Sequence, residues 1–125
     1  MKAKVFLGVQ LLAGLMLVVF GLNKFLHFIP HPESTISMGM YTGALAQSGF
    51  IFPIVAVIEI IAGIAFLTNK YVPLMAVVLM PVMVNAFLAH LFLDPAGIGN
   101  STFLMIVLIA IMIRNKDRYT QVLKP

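Results

Sequence analysis

The chain has no cysteine. That absence removes disulfides, thiol relays, iron–sulfur ligation and thiolate-bound zinc in one step, so any redox chemistry must borrow a cofactor or a partner. Charge is scarce as well. Only 10% of the 125 residues are Asp, Glu, Lys or Arg while 62% are hydrophobic, where a soluble domain carries about 25% charged residues. A chain this apolar belongs in a lipid bilayer. The formal charge of +4 and pI near 9.7 would suggest nucleic acid in a soluble protein. Here the basic residues form no stripe and sit at the ends of apolar runs, so the excess reads as topology, with no nucleic-acid partner.

Four apolar runs approach the roughly 20 residues that span a hydrocarbon core: about Val5 to Leu26, Phe50 to Leu67, Val72 to Leu93 and a shorter Thr102 to Ile113. The last can begin earlier, around Ile98, and its span is taken as 100–113. The expected fold is all-α, a polytopic four-transmembrane-helix bundle in a single domain, with a long outer loop over 28–49. Lys2 and Lys4 before Val5 to Phe20 imitate a secretory signal. The run continues to Leu26 with no small-residue cleavage pattern close behind, so we read it as a retained first span.

Four crossings put Lys2, Lys4, Lys70, Arg114, Lys116, Arg118 and Lys124 on one side and leave only Lys24 on the other. By the positive-inside bias both termini are expected to be cytoplasmic, in a bacterial cytoplasmic membrane, with the loop at Asp94 outside. Ser37 to Gln47 has helix-compatible spacing and is expected to lie on or dip into the outer surface. Pro53 and Pro73 fall in first turns, where a missing amide proton costs little. Pro81 falls inside the third span and is expected to kink it.

Glu59 is a lone carboxylate within the apolar run Phe50 to Leu67. An ionisable group at membrane depth costs roughly 2.5 kcal/mol or more unless it faces a bundle interior or a wet cavity, which is why such residues tend to mark working sites. It lies about 13 Å in from the outer end at 1.5 Å per residue, and Asn85 has similar depth on the third span. His90 and Lys24 sit nearer the outer end. The expected arrangement is a column, with Asp94 and Lys24 (beside Asn23) at the mouth, His90 below, and Asn85 and Glu59 at the base. Small residues at Ala56, Ala62 and Gly63 on the Glu59 face, and Gly14 and Gly21 on the Lys24 face, allow close helix approach. Asn85 and His90 are about 140° apart around their helix, so both reach the axis only if Pro81 distorts it.

Each of these residues has a structural reading beside the functional one. Glu59 can bond Asn85 or pair with Lys24 and so set helix register, or exchange protons. His90 can bond a neighbouring carbonyl, or donate to a carbonyl ligand. Lys24 can snorkel to headgroups. His27, His31 and Glu33 share the outer loop without any recognised ligand spacing, so no metal is expected. Haem between His27 and His90 suits a bundle, yet both histidines lie near the outer ends. The nine methionines read as adaptable core filler before copper ligands.

Gly21-Leu-Asn-Lys24-Phe25, the stretch Tyr41 to Phe50 ending in Gln47-Ser-Gly49-Phe50, Glu59-Ile-Ile-Ala-Gly63, Tyr71-Val-Pro73-Leu74, and Asn85 with His90-Leu-Phe-Leu-Asp94 follow one another in order. Together they resemble the DoxX-like family of small four-helix integral membrane proteins, over about residues 5 to 113. The resemblance implies association with a thiosulfate:quinone oxidoreductase membrane subunit, with redox-stress membrane complexes, or with quinone and catechol resistance. Lacking cysteine, the chain departs from the thiol-disulfide four-helix quinone reductases such as vitamin K epoxide reductase.

The expected function is a membrane subunit that handles quinone or a similar hydrophobic redox molecule, with quinone as the candidate cofactor. The competing expectation is a non-catalytic scaffold or assembly subunit of a membrane redox complex. A transport path ranks lowest, because the inner halves of the spans lack a continuous polar route. Four short spans leave little room to enclose a large ligand, so the expected partners are the bilayer itself and either a redox subunit or a second copy in a homodimer.

Overall fold

A computed structural model describes residues 2–26 and 35–125. His27, His31 and Glu33, and with them the loop ligands considered above, lie outside the described residues. The described residues form helices α1 (Lys2–Leu26), α2 (Ile36–Gln47), α3 (Ile51–Thr68), α4 (Val72–Leu93) and α5 (Ile98–Arg114), with short helical turns at Pro95–Gly97, Lys116–Tyr119 and Thr120–Leu123. Four of these are long and apolar enough to cross a membrane: α1, α3, α4 and the segment Pro95–Arg114. The helical segment from Pro95 through α5 is longer than the expected span 100–113, because Pro95 starts a helical turn that α5 continues. The segment Ser37 to Gln47 is helical, within α2.

Local chemistry explains the boundaries. Thr35 caps α2, its Oγ1 accepting from Met38 N at 3.1 Å, which satisfies one of the free amides of a first turn. Pro73 occupies the first turn of α4, where no helical hydrogen bond is lost. Between α3 and α4 the chain reverses in a turn with Asn69 (φ 55°) and Tyr71 (φ 58°) both left-handed. Asparagine tolerates that region and tyrosine pays for it in strain. Pro81 sits within α4, which remains helical on both sides of it.

The bundle is built around two seams. α1 runs antiparallel to α3: a Cβ on Gly14 would lie 2.9 Å from Gly63 O, one on Gly21 would lie 2.9 Å from Ala56 O, and one on Gly63 would lie 2.7 Å from Gly14 O. Only glycine permits backbones this close, and close approach is what drives helix association where lipid and side chain are equally apolar. α4 packs on α3 and α5 through Phe66, Leu79, Leu108 and Ile111, all fully buried. Large apolar side chains such as Leu15, Ile61, Leu74 and Ile106 point outward on every span, as expected of helices that meet lipid.

Candidate functional site

The α1–α3 seam carries the ion pair. Glu59 is the middle of an eighteen-residue helix and is 5% exposed. Lys24 Nζ donates to both of its oxygens, at 3.1 Å to Oε1 and 3.0 Å to Oε2. The lysine side chain is 24% exposed, so it is the accessible member of the pair. It reaches inward where a snorkelling lysine would reach for headgroups. Gly21 lies one turn before Lys24, and the close approach it allows to Ala56 and Ile60 brings the ammonium within range of the carboxylate.

Asn85 does not join this pair. It is exposed on α4 and accepts at Oδ1 a 2.6 Å hydrogen bond from the hydroxyl of Tyr41 on α2. Thr35 Oγ1 also donates to Leu93 O, so two bonds tie α2 to the last turns of α4, and Met38 of α2 is buried. The expected contact between Asn85 and Glu59 is replaced by a contact between Asn85 and Tyr41. Equal depth placed them at one height, but helix rotation points them in different directions.

His90 and Asp94 form a third locus. The His90 Nδ1 is buried with no hydrogen-bond partner among the described residues. Asp94 is 7% exposed, and its amide donates to His90 O at 3.1 Å. Gly97 closes over both. A Cβ there would lie 3.1 Å from His90 Nδ1 and 3.5 Å from Asp94 Oδ2, so the glycine lets the Pro95–Gly97 turn lie against the imidazole edge. A buried unpartnered ring nitrogen costs a desolvation penalty that a ligand donor or acceptor would relieve. Asn23 lies beside Lys24 at the half-buried end of α1 and has an interaction of its own.

The column expected from depth is thus divided into Lys24–Glu59, Tyr41–Asn85 and His90–Asp94, with no hydrogen bond joining one group to another among the described residues. Sequence reasoning missed Gln10, which is 5% exposed and donates from Nε2 to Phe66 O and to Asn69 Oδ1, each at 3.0 Å. A lone amide inside Val5 to Leu26 was the available signal. No three His, Asp or Glu side chains gather in metal-binding distance among the described residues.

The sequence profile described as DoxX matches residues 5–91. The chain belongs to the DoxX family. The matched stretch runs from the first turn of α1 through Leu91 of α4, and so contains both members of the Lys24–Glu59 pair, Tyr41, Asn85 and His90. The last crossing of this DoxX-family protein, α5, lies beyond it. No curated protein and no solved structure gives a significant match.

Proposed function

We propose that this DoxX-family protein is a membrane subunit that handles quinone or a similar hydrophobic redox molecule, using Lys24 and Glu59 as its proton-handling and carbonyl-binding groups. The observation that carries this reading is the Lys24–Glu59 pair, whose carboxylate is buried while its lysine is partly exposed. A carboxylate taken out of water costs several kcal/mol, which a partly exposed lysine offsets only in part, and a well-packed apolar pair of similar volume would hold the seam about as well or better. Its presence is therefore better explained by chemistry than by stability. A quinone carbonyl beside Lys24 Nζ would find a donor, and the neighbouring carboxylate would find a role in proton exchange. His90, with its unpartnered Nδ1, supplies a second polar group for an elongated ligand, and Asn85, Asn23 and Asp94 border the same half of the bundle. Quinone reduction takes up electrons with its protons, and a chain without cysteine receives those electrons from a partner redox subunit.

Binding of a water-soluble quinone analogue to the purified protein, read by isothermal titration, tests this reading. Glu59→Gln, Lys24→Met and His90→Ala should weaken binding about tenfold or more where a charge-assisted hydrogen bond is lost. Unchanged affinity in all three removes the site.

A second reading, a non-catalytic scaffold of a membrane redox complex, is favoured by one observation. The pair lies on the glycine seam, where it also fixes the register of α1 against α3. Pull-down from native membranes separates the two. A stoichiometric partner whose recovery survives substitution of Lys24 and Glu59, with no quinone binding, supports the scaffold.

A further inference from the structure

At the opposite end of the bundle from the α2 helix, a pocket of about 400 Å³ opens between the start of α1, the α3–α4 turn and the end of α5. Its lining includes the apolar Phe6 and Leu7, the basic Arg114 and Arg118, and the amides of Gln10 and Asn69. The quinone reading does not use it, and its arginines lie beyond the matched residues 5–91.

The donors here are set for an anion. The Arg114 guanidinium carbon stands 4.4 Å from the centroid of the Phe6 ring, a stacking contact that holds the planar group against that ring. Neither arginine is paired with a carboxylate among the described residues, the ion pair found there being Lys24–Glu59. Asn69 Oδ1 accepts from Gln10 Nε2, whose other proton goes to Phe66 O, so Asn69 has its Nδ2 donor left to offer. The turn that presents Asn69 contains two left-handed non-glycine residues, Asn69 and Tyr71, of which Tyr71 is the strained one, and strain of this kind persists where the surroundings enforce it. Guanidinium forks match the oxygens of phosphate.

We propose that this pocket binds a phosphate ester, its anionic oxygens held by Arg114, Arg118 and Asn69 Nδ2. An anionic lipid headgroup and a soluble phosphate monoester both present anionic non-bridging phosphate oxygens, and the apolar Phe6 and Leu7 would take the acyl-chain side of the lipid.

The test is isothermal titration of the delipidated full chain in neutral detergent with short-chain phosphatidylglycerol and, separately, glycerol 3-phosphate. Saturable binding of one molecule per chain is expected for at least one probe. Lipid alone assigns a headgroup site, and binding of both shows that the phosphate ester suffices. Arg118→Gln should weaken binding about fivefold and Arg114→Gln/Arg118→Gln about twenty-five-fold, taking roughly 1 kcal/mol for each basic group near a membrane surface. Lys116→Gln/Lys124→Gln removes the same charge outside the pocket and should change affinity by less than about twofold, as expected of screened distant charge. Because Arg114 packs on Phe6, a second variant that leaves that contact intact is Asn69→Asp, which should cut binding about tenfold by placing like charge at the site. No saturable binding of either probe, equal loss in both double variants, or full affinity in Asn69→Asp overturns the proposal.

Discussion

Lys24 Nζ on α1 holds both carboxylate oxygens of Glu59 on α3, at 3.1 and 3.0 Å, across 35 positions of sequence. Removing one partner leaves the other buried without compensation. Lys24→Met should destabilise the protein by about 3 kcal/mol, whereas Lys24→Met/Glu59→Leu should recover most of that loss. Unfolding in detergent followed by circular dichroism gives both values. A double variant as unstable as the single one would mean that the pair is needed for packing, which would weaken the argument for chemistry at this position.

Gly63 meets Gly14 O and Val18 so closely that an added Cβ would sit 2.7 Å from that backbone oxygen and 2.6 Å from Val18 Cγ2. Gly63→Ala is expected to push α1 from α3 at a cost of about 1–3 kcal/mol. Gly8 faces open space, so Gly8→Ala should be neutral or stabilising by up to about 1 kcal/mol through helix propensity. The same unfolding measurement distinguishes these outcomes, and equal effects at both positions would refute the close seam.

The Tyr41 hydroxyl bond to Asn85 Oδ1 anchors α2 to α4. Tyr41→Phe should loosen α2 by about 1 kcal/mol, the usual net worth of one such bond. Hydrogen exchange monitored by mass spectrometry should then show faster exchange across Ile36–Gln47 with α3 unchanged. No change in α2 would show that Met38 and the Thr35 bond hold the helix without it.

Beyond the last crossing, Tyr119 donates its hydroxyl to Pro73 O at 2.7 Å, and burial pushes its ionisation above the ordinary value of 10.0. The folded state therefore keeps the phenol proton more tightly than the unfolded chain does. The resulting stability is fully present below about pH 10 and falls as pH rises through the folded-state value. Thermal melts across that alkaline range should show a smaller decline for Tyr119→Phe than for the parent chain. Identical pH dependence would exclude the phenol as the cause.

Some of the candidate site is legible in the sequence. Glu59 stands out because a charge inside an apolar run is rare, and Lys24 because it is the one lysine or arginine between Lys4 and Lys70. Their pairing was among the alternatives because Gly14, Gly21, Ala56 and Gly63 marked facing sides of two helices. The Asn85–Tyr41 bond was hidden, since its members lie on different helices 44 positions apart. Gln10 gives little signal because a single amide leaves the hydropathy of a long run nearly unchanged.

Run length by itself determined a helical protein with four segments long enough to cross a membrane, because a hydrocarbon core about 30 Å thick demands long apolar segments with satisfied backbones. Only the tertiary structure decided which polar groups meet. In water a hydrophobic stripe reveals which way a helix faces. In lipid the core face and the outer face are both apolar, so sequence conveys how deep Glu59, Asn85 and His90 lie but little of the direction each one points. Helix rotation, set by the glycine seam and by packing around Phe66 and Leu79, turned Lys24 toward Glu59 and Asn85 toward Tyr41.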